Sequence, residues 1–401
     1  MSAVGNSPLV YMDNHATTRV DPRVVEAMLP YFTEQYGNAG SVSHEFGAQA
    51  REAVDASRET IGEAIGATTR EIVFTSGATE SNNLAIRGLA ERGRRRGKHI
   101  VSVATEHKAV LDPLARLGRR GFEVTLLDVE QAGSPQAGRV DPQAVADALR
   151  DDTLLVSVML ANNEIGTIAP VAEIGAICRE RGVPLHCDGT QAVGKIPVHV
   201  DELHVDLMSF SAHKLYGPKG CGALFVRRRG KPMRLEPLIH GGGQEGGMRS
   251  GTLNVPGIVG FAKAVRLCLE EMGDEQPRLC RLRDELHHSI AERVEGVSLN
   301  GPVLDSTHVR LAGNLNLSFA DVDGEALMMS MKTVAVSSGA ACTSANPEPS
   351  HVLRAIGLSE DLTRASLRFG LGRFNTPSDV EMAASAVQAA VEKLRKLGSL
   401  T

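Results

Sequence analysis

Short β-rich runs alternate with helical patterns between about residues 45 and 230. The helical stretches Gln49–Ile65, Thr79–Arg95 and Ala172–Arg181 carry apolar residues three and four positions apart. The predicted strands are Glu71–Thr75, His99–Val103, Phe122–Leu127, Leu154–Leu160, Leu185–Asp188, Val205–Phe210 and Ala223–Arg227. Such alternation favours βα units around a mostly parallel sheet, because parallel neighbours need a crossover connection that is usually a helix. The sequence therefore predicts a large α/β domain.

The pattern changes after Gly241–Gly243. A final helix is expected to begin after Thr376, a natural N-cap, with Pro377 in its first position. The other elements predicted there are two helices, Val255–Met272 and Gln276–Glu295, and the strands Leu315–Phe319, Val334–Val336 and Ser366–Leu371. These elements predict a smaller α+β domain. We place the large domain at residues 20–262, and the small domain at residues 1–19 and 263–401.

Composition and charge exclude several classes of protein. The 43 Lys and Arg residues against 48 Asp and Glu residues give a net charge of −5, so no basic surface for nucleic acid is indicated. The chain has no Trp and four Tyr, which argues against binding by base stacking. The N-terminus lacks the apolar segment of a signal peptide, and no run of about 18 apolar residues occurs. We therefore expect a cytoplasmic protein without direct nucleic-acid or membrane partners.

A turn of small residues follows the predicted strand Glu71–Thr75. It reads Ser76-Gly77-Ala78-Thr79-Glu80-Ser81-Asn82-Asn83 and opens a helix. The backbone N–H groups at such a helix start, together with the Thr79 hydroxyl, suit a phosphate group. Simple N-capping of the helix by Ser76 or Thr79 explains the same residues. This segment alone leaves both functions open.

The segment Gly189–Lys195 matches the GxxxxGK pattern of nucleotide hydrolases. The next residue is Ile196, where a magnesium-binding Ser or Thr is needed, and Pro197 removes a backbone donor where the phosphate-binding helix would begin. We therefore reject a nucleotide hydrolase. Asp188, just before this segment, ends an apolar strand, and ligands of open α/β sheets bind outside the carboxyl ends of strands. A helix N-cap is an equally good explanation of Asp188.

A lysine follows the next predicted strand, in Ser211-Ala212-His213-Lys214. A lysine amine can form a Schiff base when burial or neighbouring cations lower its pKa, whereas a solvated surface lysine is the alternative. Lys214 lies 26 residues after Asp188, at the end of the next strand, so both can reach one ring, which His107 could cover. Pyridoxal phosphate needs a carboxylate at its ring nitrogen and a lysine at its aldehyde. These residues, with the phosphate turn, favour that cofactor.

Longer motifs occur in order over nearly the whole chain. They are Tyr11–Thr18, Thr75–Asn83, Thr105–Val110, Asn162–Gly166, Ser211–Lys214, Gly247–Thr252 and Ser337–Ser344. In these motifs the chain resembles the cysteine desulfurases, a family of fold-type-I pyridoxal-phosphate enzymes, in the branch that serves iron–sulfur cluster assembly. The resemblance implies a homodimer that uses pyridoxal 5′-phosphate to convert L-cysteine to L-alanine.

The resemblance also implies a role for each candidate residue. Thr252 would reach the phosphate bound by the other subunit, and Arg368, with Asn38, would bind the substrate carboxylate. The cofactor-binding residues would be Lys214 for the Schiff base, Asp188 for the pyridine nitrogen, Gln191 for the ring hydroxyl, His107 for ring stacking and proton transfer, Asn163 beside the ring, and Ala78, Thr79, Ser211 and His213 for the phosphate.

Cys342 is the cysteine that the resemblance marks as the nucleophile. It would take the substrate sulfur as a persulfide and pass it to a sulfur acceptor or an iron–sulfur scaffold protein. Four other cysteines are expected to be buried and unreactive, namely Cys178, Cys187, Cys221 and Cys268. Cys280, in a charged helix, is expected to have no role in the reaction. The chain has no CxxC pair. No resident metal is therefore expected, and Cys342 would ligate an iron–sulfur cluster at most transiently.

The chain departs from the family pattern at two points. Ala39 stands where the family usually has a proline after Asn38, and the chain stops at Thr401 without the longer tail with which some members dock the scaffold. The stretch Ser337–Leu353 resembles the branch with an extended catalytic loop.

Other functions remain as alternatives. A selenocysteine lyase or another class-V enzyme, such as an aminotransferase, would use the same lysine-bound cofactor. The sulfur could serve tRNA thiolation as well as iron–sulfur assembly. A non-enzymatic sulfur or metal carrier would need Cys342 but neither Lys214 nor Asp188.

Overall fold

The computed structural model describes residues 9–338 and 348–398. Its helices are α1 Pro22–Met28, α2 Pro30–Thr33, α3 Glu45–Ala64, α4 Ala78–Gly93, α5 Lys108–Gly118, α6 Pro142–Ala148, α7 Val171–Glu180, α8 Val255–Arg293, α9 Gly324–Ser330, α10 His351–Ala355, α11 Glu360–Arg364 and α12 Pro377–Gly398. Its strands are β1 Val10–Tyr11, β2 Ile72–Thr75, β3 His99–Val103, β4 Glu123–Leu127, β5 Thr153–Ser157, β6 Leu185–Asp188, β7 Leu207–Ser211, β8 Gly222–Val226, β9 Val297–Leu299, β10 Asn314–Phe319, β11 Val334–Ala335, β12 Ser337–Ser338 and β13 Ser366–Gly370. None of the helices within these residues is long and apolar enough to cross a bilayer.

The large sheet has the strand order β2-β8-β7-β6-β5-β3-β4. Strand β8 is antiparallel to both neighbours, and the other pairs are parallel. Successive strand residues enter opposite cores, since side chains alternate across a sheet. Val73 and Leu224 pack with the core beneath α4 and α5, whereas Phe74 and Phe225 pack with the core that contains residues of α3, α7 and α8. Burial on both faces explains the continuous apolar runs, and the predicted α/β class is confirmed.

Strands β2, β3, β5, β6 and β7 run in the same direction. Strand β2 has the direction of β7 because β8, which lies between them, is antiparallel to both. Their carboxyl ends therefore lie along one edge of the sheet. The segments that leave this edge carry most of the candidate residues, including Ala78 after β2, His107 after β3, Asp188 at the end of β6 and Lys214 after β7.

A second, antiparallel sheet has the order β12-β13-β10-β9. Its core contains residues of α12 and of the second half of α8, together with Val10 and Met12 from the start of the chain. Strand β1 pairs with β11 in parallel, so the N-terminal segment is attached to this second unit. The domain boundaries given above stay predictions.

The two helices predicted at Val255–Met272 and Gln276–Glu295 are wrong as separate elements, because α8 is one helix of 39 residues. Gly273 and Pro277 are local signals for a break, and Pro277 has no N–H to donate to the Gly273 carbonyl. The burial of apolar side chains along both halves of α8 outweighs these two signals. The first half of α8 packs Phe261 into the core of the large sheet, and the second half packs Leu286 into the core of the small one.

The predictions for the buried cysteines are confirmed. Cys178, Cys187, Cys221 and Cys268 are buried, and Cys280 is half-buried. Burial raises the pKa of the Cys178, Cys221 and Cys268 thiols to about 12, so these thiols stay protonated and unreactive. Cys342 lies outside the described residues.

We expect Gly273→Ala to stabilise the protein. Gly273 is exposed inside α8, and a Cβ atom there would meet no other atom within 4 Å. Alanine in a continuous helix should raise the free energy of unfolding by about 0.5–1 kcal/mol, which urea denaturation would measure. As a control, Gly222→Ala should destabilise, because its Cβ would lie 2.6 Å from Gly77 Cα. A neutral or destabilising Gly273→Ala would argue for a break at this position.

Candidate active site

One cleft at the carboxyl edge of the large sheet collects most of the predicted site residues. Those that line it are Ala78, Thr79, His107, Asn163, Asp188, Gln191, Ser211, His213, Lys214 and Arg368. The N-terminal segment enters the cleft with His15, Ala16 and Thr17, and the small sheet contributes Asn316, Ser337 and Arg368. Sequence positions more than 350 residues apart therefore meet in one site.

Lys214 ends a short 3-10 turn, Ala212–Lys214, directly after β7. Its Nζ donates hydrogen bonds to the backbone oxygens of His15 and Ala16, each at 2.5 Å. Burial, reinforced by the nearby charges of Lys195 and Arg368, lowers the pKa of Lys214 to about 7. A large fraction of its amine is therefore neutral near pH 7, which is the form that attacks an aldehyde.

Asp188 is buried at the end of β6. Its Oδ2 accepts a hydrogen bond from Asn82 Nδ2 at 2.7 Å, and its Oδ1 accepts one from the Thr190 N–H at 3.0 Å. The helix N-cap considered for Asp188 is wrong, because a turn and not a helix follows β6. The carboxylate lines the cleft. Two donors fix the carboxylate, which suits it to pair with a protonated ring nitrogen.

The start of α4 is an uncapped helix terminus that faces the cleft. Gly77 is its N-cap residue, and no side chain caps the helix there. Capping by Ser76 does not occur, since its hydroxyl and N–H both bond to Glu80 Oε2. Gly77 has a φ of +151°, a conformation that favours glycine. The backbone N–H groups of the first turn are therefore available to an anion, as a phosphate site requires.

Ser211, at the end of β7, borders this helix start, and His213 lines the same cleft. A Cβ added to Gly77 would lie 3.6 Å from Ser211 Oγ, so the hydroxyl borders the turn. The His213 Nδ1 atom lies 3.1 Å from Thr17 Oγ1. Burial and the neighbouring Lys214 lower the pKa of His213 to about 4, so its imidazole is neutral at pH 7. Phosphate binding by these two side chains stays a prediction.

His107 is the N-cap residue of α5, and its Nδ1 accepts a hydrogen bond from the Ala109 N–H at 3.0 Å. The proton of the neutral ring is therefore on Nε2. Burial lowers the pKa of His107 below its ordinary value, which favours this neutral form. The capping bond also fixes the ring at the wall of the cleft.

Arg368 comes from β13 of the small sheet and is nearly buried. Its Nη2 donates to Asp13 Oδ1 at 2.8 Å and to Ser337 Oγ at 2.7 Å, and its Nη1 donates to the Asn163 oxygen at 3.0 Å. Among the described residues, its buried Nε finds no acceptor. A buried donor without a partner is costly, and a bound carboxylate would satisfy it.

Some predicted residues lie outside this cleft. Asn38 lines a separate surface cleft with Arg51 and Asp55, where its Oδ1 accepts a hydrogen bond from the Gly40 N–H at 2.9 Å. Thr252 is exposed and does not line the Lys214 cleft of its own chain. Cys342 lies outside the described residues. The roles proposed for these three residues stay predictions.

Sequence reasoning missed residues that hold the site together from far along the chain. Asp13 orients Arg368, which lies 355 positions away in the sequence, and Asn82 orients Asp188, which lies 106 positions away. His15 is fully buried, and its carbonyl oxygen accepts from Lys214. All three lie in the motifs of the sequence analysis, but no spacing rule connects them to their partners. These residues are polar and yet buried, which indicates a role in the site, but burial can be seen only in the fold.

Covalent capture of an aldehyde, neutralisation of a protonated ring nitrogen and binding of a phosphate are the three demands of pyridoxal phosphate. Lys214, Asp188 and the start of α4 meet them around a single cleft, so the residues present fit this cofactor. A mostly parallel sheet that supports such a cleft at its carboxyl edge is the architecture of a pyridoxal-phosphate-dependent enzyme.

Comparison with known proteins narrows this class. The model of the family "Aminotransferase class-V" matches residues 10–382. The cysteine desulfurase IscS of Anaeromyxobacter dehalogenans is 56% identical over 98% of this chain and 94% of its own length. Solved structures of a NifS-like protein (TM-score 0.87, 37% identity, 96% of this chain and 100% of that one) and of SspA in complex with cysteine (TM-score 0.79, 36% identity, 92% and 100%) are also similar. The chain belongs to the class-V aminotransferase family and, within it, to the cysteine desulfurases.

The lowered pKa of Lys214 predicts how the apoprotein takes up its cofactor. The rate of covalent capture of pyridoxal phosphate should rise with pH through about 7, because only the neutral amine reacts and its fraction grows as pH passes the pKa. Stopped-flow absorbance between pH 5.5 and 9 would measure the profile. N-acetyl-lysine, with an ordinary pKa of about 10.4, is the reference. A protein profile that rises only above pH 9 would contradict the lowered pKa.

Proposed function

We propose that this cleft converts L-cysteine to L-alanine and that the sulfur passes to Cys342 as a persulfide. The observation that carries the proposal is the meeting of Lys214, Asp188 and Arg368 around one cleft. Two comparisons support it, since the curated relative is named a cysteine desulfurase and one solved relative was obtained in complex with cysteine. None of the described cysteines lines the cleft, since four are buried elsewhere and Cys280 is half-buried outside it, which supports Cys342 as the sulfur acceptor.

In the proposed site, pyridoxal phosphate withdraws electrons from the substrate Cα, so that the Cα proton can leave. Lys214, whose amine is largely neutral near pH 7, would hold the cofactor at its aldehyde. Asp188 would keep a positive charge on the ring nitrogen, and Asn82 keeps Asp188 in position. The start of α4, with Ser211 and His213, would hold the phosphate.

The substrate is positioned by Arg368, whose planar guanidinium suits a carboxylate. Asp13 and Ser337 fix the plane of that guanidinium from behind. The released Lys214 amine then accepts the Cα proton. This step requires a neutral amine, and the pKa of about 7 provides one near neutral pH.

Sulfur transfer follows by attack of the Cys342 thiolate on the substrate sulfur. An S–S bond forms, the substrate C–S bond breaks, and the electron pair of the broken bond stays with the substrate carbon. That carbon takes up a proton, and L-alanine leaves. One cysteine and one thiol give one alanine and one persulfide, so no external oxidant is consumed. His107, with its proton on Nε2, is placed to deliver a proton inside the cleft.

The proposal includes a homodimer. Large apolar side chains are exposed near the start of the chain, with Leu29 58%, Phe32 59%, Tyr36 64% and Val42 81% exposed. Several large exposed apolar side chains within one short stretch of chain support an interaction site there. Thr252, which would reach the phosphate site of the other subunit, is also exposed. A second copy of the chain would cover such a surface and bring in Thr252.

We further propose that the protein works in the cytoplasm, where it delivers sulfur to a scaffold protein of iron–sulfur cluster assembly. The name of the curated relatives supports the sulfur-delivery role. A selenocysteine lyase is the rival activity, since the same cleft would accept the selenium analogue of cysteine.

Anaerobic incubation with L-cysteine and a thiol reductant tests the reaction. The expected products are alanine and sulfide in equal amounts, because each turnover releases one of each. Parallel incubation with L-selenocysteine, without cysteine, measures the rival activity. A holoenzyme that forms neither alanine nor sulfide from cysteine would overturn the proposal.

Cys342→Ser should keep the bound cofactor and its absorption but lose the persulfide, because a hydroxyl cannot accept the sulfur. We expect alanine formation to fall by about a thousandfold or more, as when a nucleophile is removed. Mass spectrometry of the protein after exposure to cysteine would detect the persulfide. Cys280→Ser, at a half-buried thiol, is the matched control and should behave as the native protein. Normal turnover in Cys342→Ser would exclude Cys342 as the acceptor.

Arg368→Lys should raise KM for L-cysteine by about tenfold or more, since lysine cannot form the paired contact with a carboxylate. The absorption of the bound cofactor should not change. Arg354→Lys, which alters another arginine of the same cleft, is the control and should have a smaller effect on KM. An unchanged KM in Arg368→Lys would remove Arg368 from the substrate site.

A further inference from the structure

The segment Gly189–Lys195, which matches a nucleotide-binding pattern, forms a compact turn directly after Asp188. The Val193 N–H donates to the Gly189 oxygen at 3.0 Å, and the Lys195 N–H donates to the Ala192 oxygen at 2.9 Å. Gly194 has a φ of +73°, and a Cβ there would lie 2.8 Å from Leu215 Cδ2. The left-handed backbone at this position favours glycine. The turn brings Lys195 back toward Gln191 at the wall of the cleft.

Lys195 binds the carboxamide of Gln191. Its Nζ donates a hydrogen bond to Gln191 Oε1 at 2.6 Å. An ammonium group has donors only, so it must face the oxygen of the amide and not its NH₂ group. Lys195 therefore helps to fix the orientation of the Gln191 carboxamide, together with the His15 backbone oxygen that accepts from its NH₂ group.

The other end of the same carboxamide points to the catalytic lysine. Gln191 Nε2 donates to the His15 oxygen at 2.9 Å, and the same oxygen accepts from Lys214 Nζ. The His15 Nδ1 atom lies 3.2 Å from Gln191 Oε1. One hydrogen of Nε2 is thus used, and the second remains on a side chain that lines the cleft.

We propose that Lys195 is a positioning residue that makes Gln191 a hydrogen-bond donor toward the cleft. A donor suits the anionic ring oxygen of pyridoxal phosphate, whereas an amide oxygen in its place would repel it. The inference rests on the proposed function, because it requires the cofactor ring to lie beside Gln191. Lys195 acts through Gln191 and touches neither substrate nor cofactor.

The protonation of Lys195 is consistent with this role. Burial lowers its pKa to about 8, so the ammonium form predominates at pH 7. The charged and titratable groups around it are Cys268 and Glu275 of α8, Arg368 of β13, Lys214 and His15. Glu275 favours the charged form, and Arg368 opposes it.

Cofactor binding without substrate tests the proposal. We expect Lys195→Met to raise the dissociation constant for pyridoxal phosphate by about tenfold, the effect of one lost hydrogen bond to a charged group. The absorption maximum of the bound cofactor should shift, because its ring oxygen loses a donor. Lys195→Arg keeps the donors and should restore both values. Lys231→Met, at an exposed lysine far from the cleft, is the control.

A double-mutant cycle separates positioning from a direct effect of charge. In a Gln191→Leu background, Lys195→Met should cause no further loss of cofactor affinity, since the two residues act as one unit. Gln191→Glu keeps a partner for Lys195 but presents an oxygen to the cleft, so it should bind the cofactor more weakly than Gln191→Leu. The comparison of Gln191→Glu with Gln191→Leu does not use Lys195→Met, so it still tests the donor role of Gln191 if Lys195→Met fails to fold.

Two results would overturn the inference. One is native affinity and absorption in Lys195→Met, and the other is an additive loss in the Gln191→Leu background. A failure of the proposed function looks different, because the unmutated holoenzyme would then form neither alanine nor sulfide from cysteine, whatever the effect of Lys195→Met on cofactor affinity.

Discussion

The parallel course of β2, β3, β5, β6 and β7 is the constraint on which the rest of the structure depends. Because their carboxyl ends lie along one edge, residues separated by more than a hundred positions leave the sheet side by side. The start of α4, Asp188 and Lys214 each occupy one of these exits. Reversal of any of these strands would move its residue to the opposite edge. The burial of apolar side chains on both faces of the sheet thus fixes the positions of the polar groups at its end.

The small sheet and the N-terminal segment complete the cleft, and both are held by polar contacts. Arg368 projects from β13, and its guanidinium is held by Asp13, which follows β1. The carbonyl groups of His15 and Ala16 from the same segment hold Lys214. One stretch of chain therefore orients the group that would bind the substrate carboxylate and the group that would remove its proton. Helix α8 joins the two cores without a break, so the sheets that carry these groups share one rigid element.

The sequence was informative where function depends on local pattern. Strand periodicity located Asp188 and Lys214 at strand ends, and the small residues after β2 indicated the anion site at α4. Contacts between distant residues could not be derived, because nothing in the spacing of Asn82 or Asp13 points to Asp188 or Arg368. The prediction of a break in α8 was wrong for a related reason. Gly273 and Pro277 act locally, but burial of both halves in separate cores outweighs one missing hydrogen bond.

The charges around Lys214 explain why one site can both bind anions and keep an amine neutral. Among the described residues, neither Lys214 nor Lys195 forms an ion pair with a carboxylate, since they bond to backbone oxygens and to an amide oxygen. The positive charges in this region favour an anionic cofactor and substrate, and those of Lys195 and Arg368 add to burial in lowering the pKa of Lys214. A carboxylate bonded to Lys214 would cancel both effects. Asp188 is instead turned toward Asn82 and Thr190, so it forms no ion pair with the Lys214 amine and would be available to a cofactor ring.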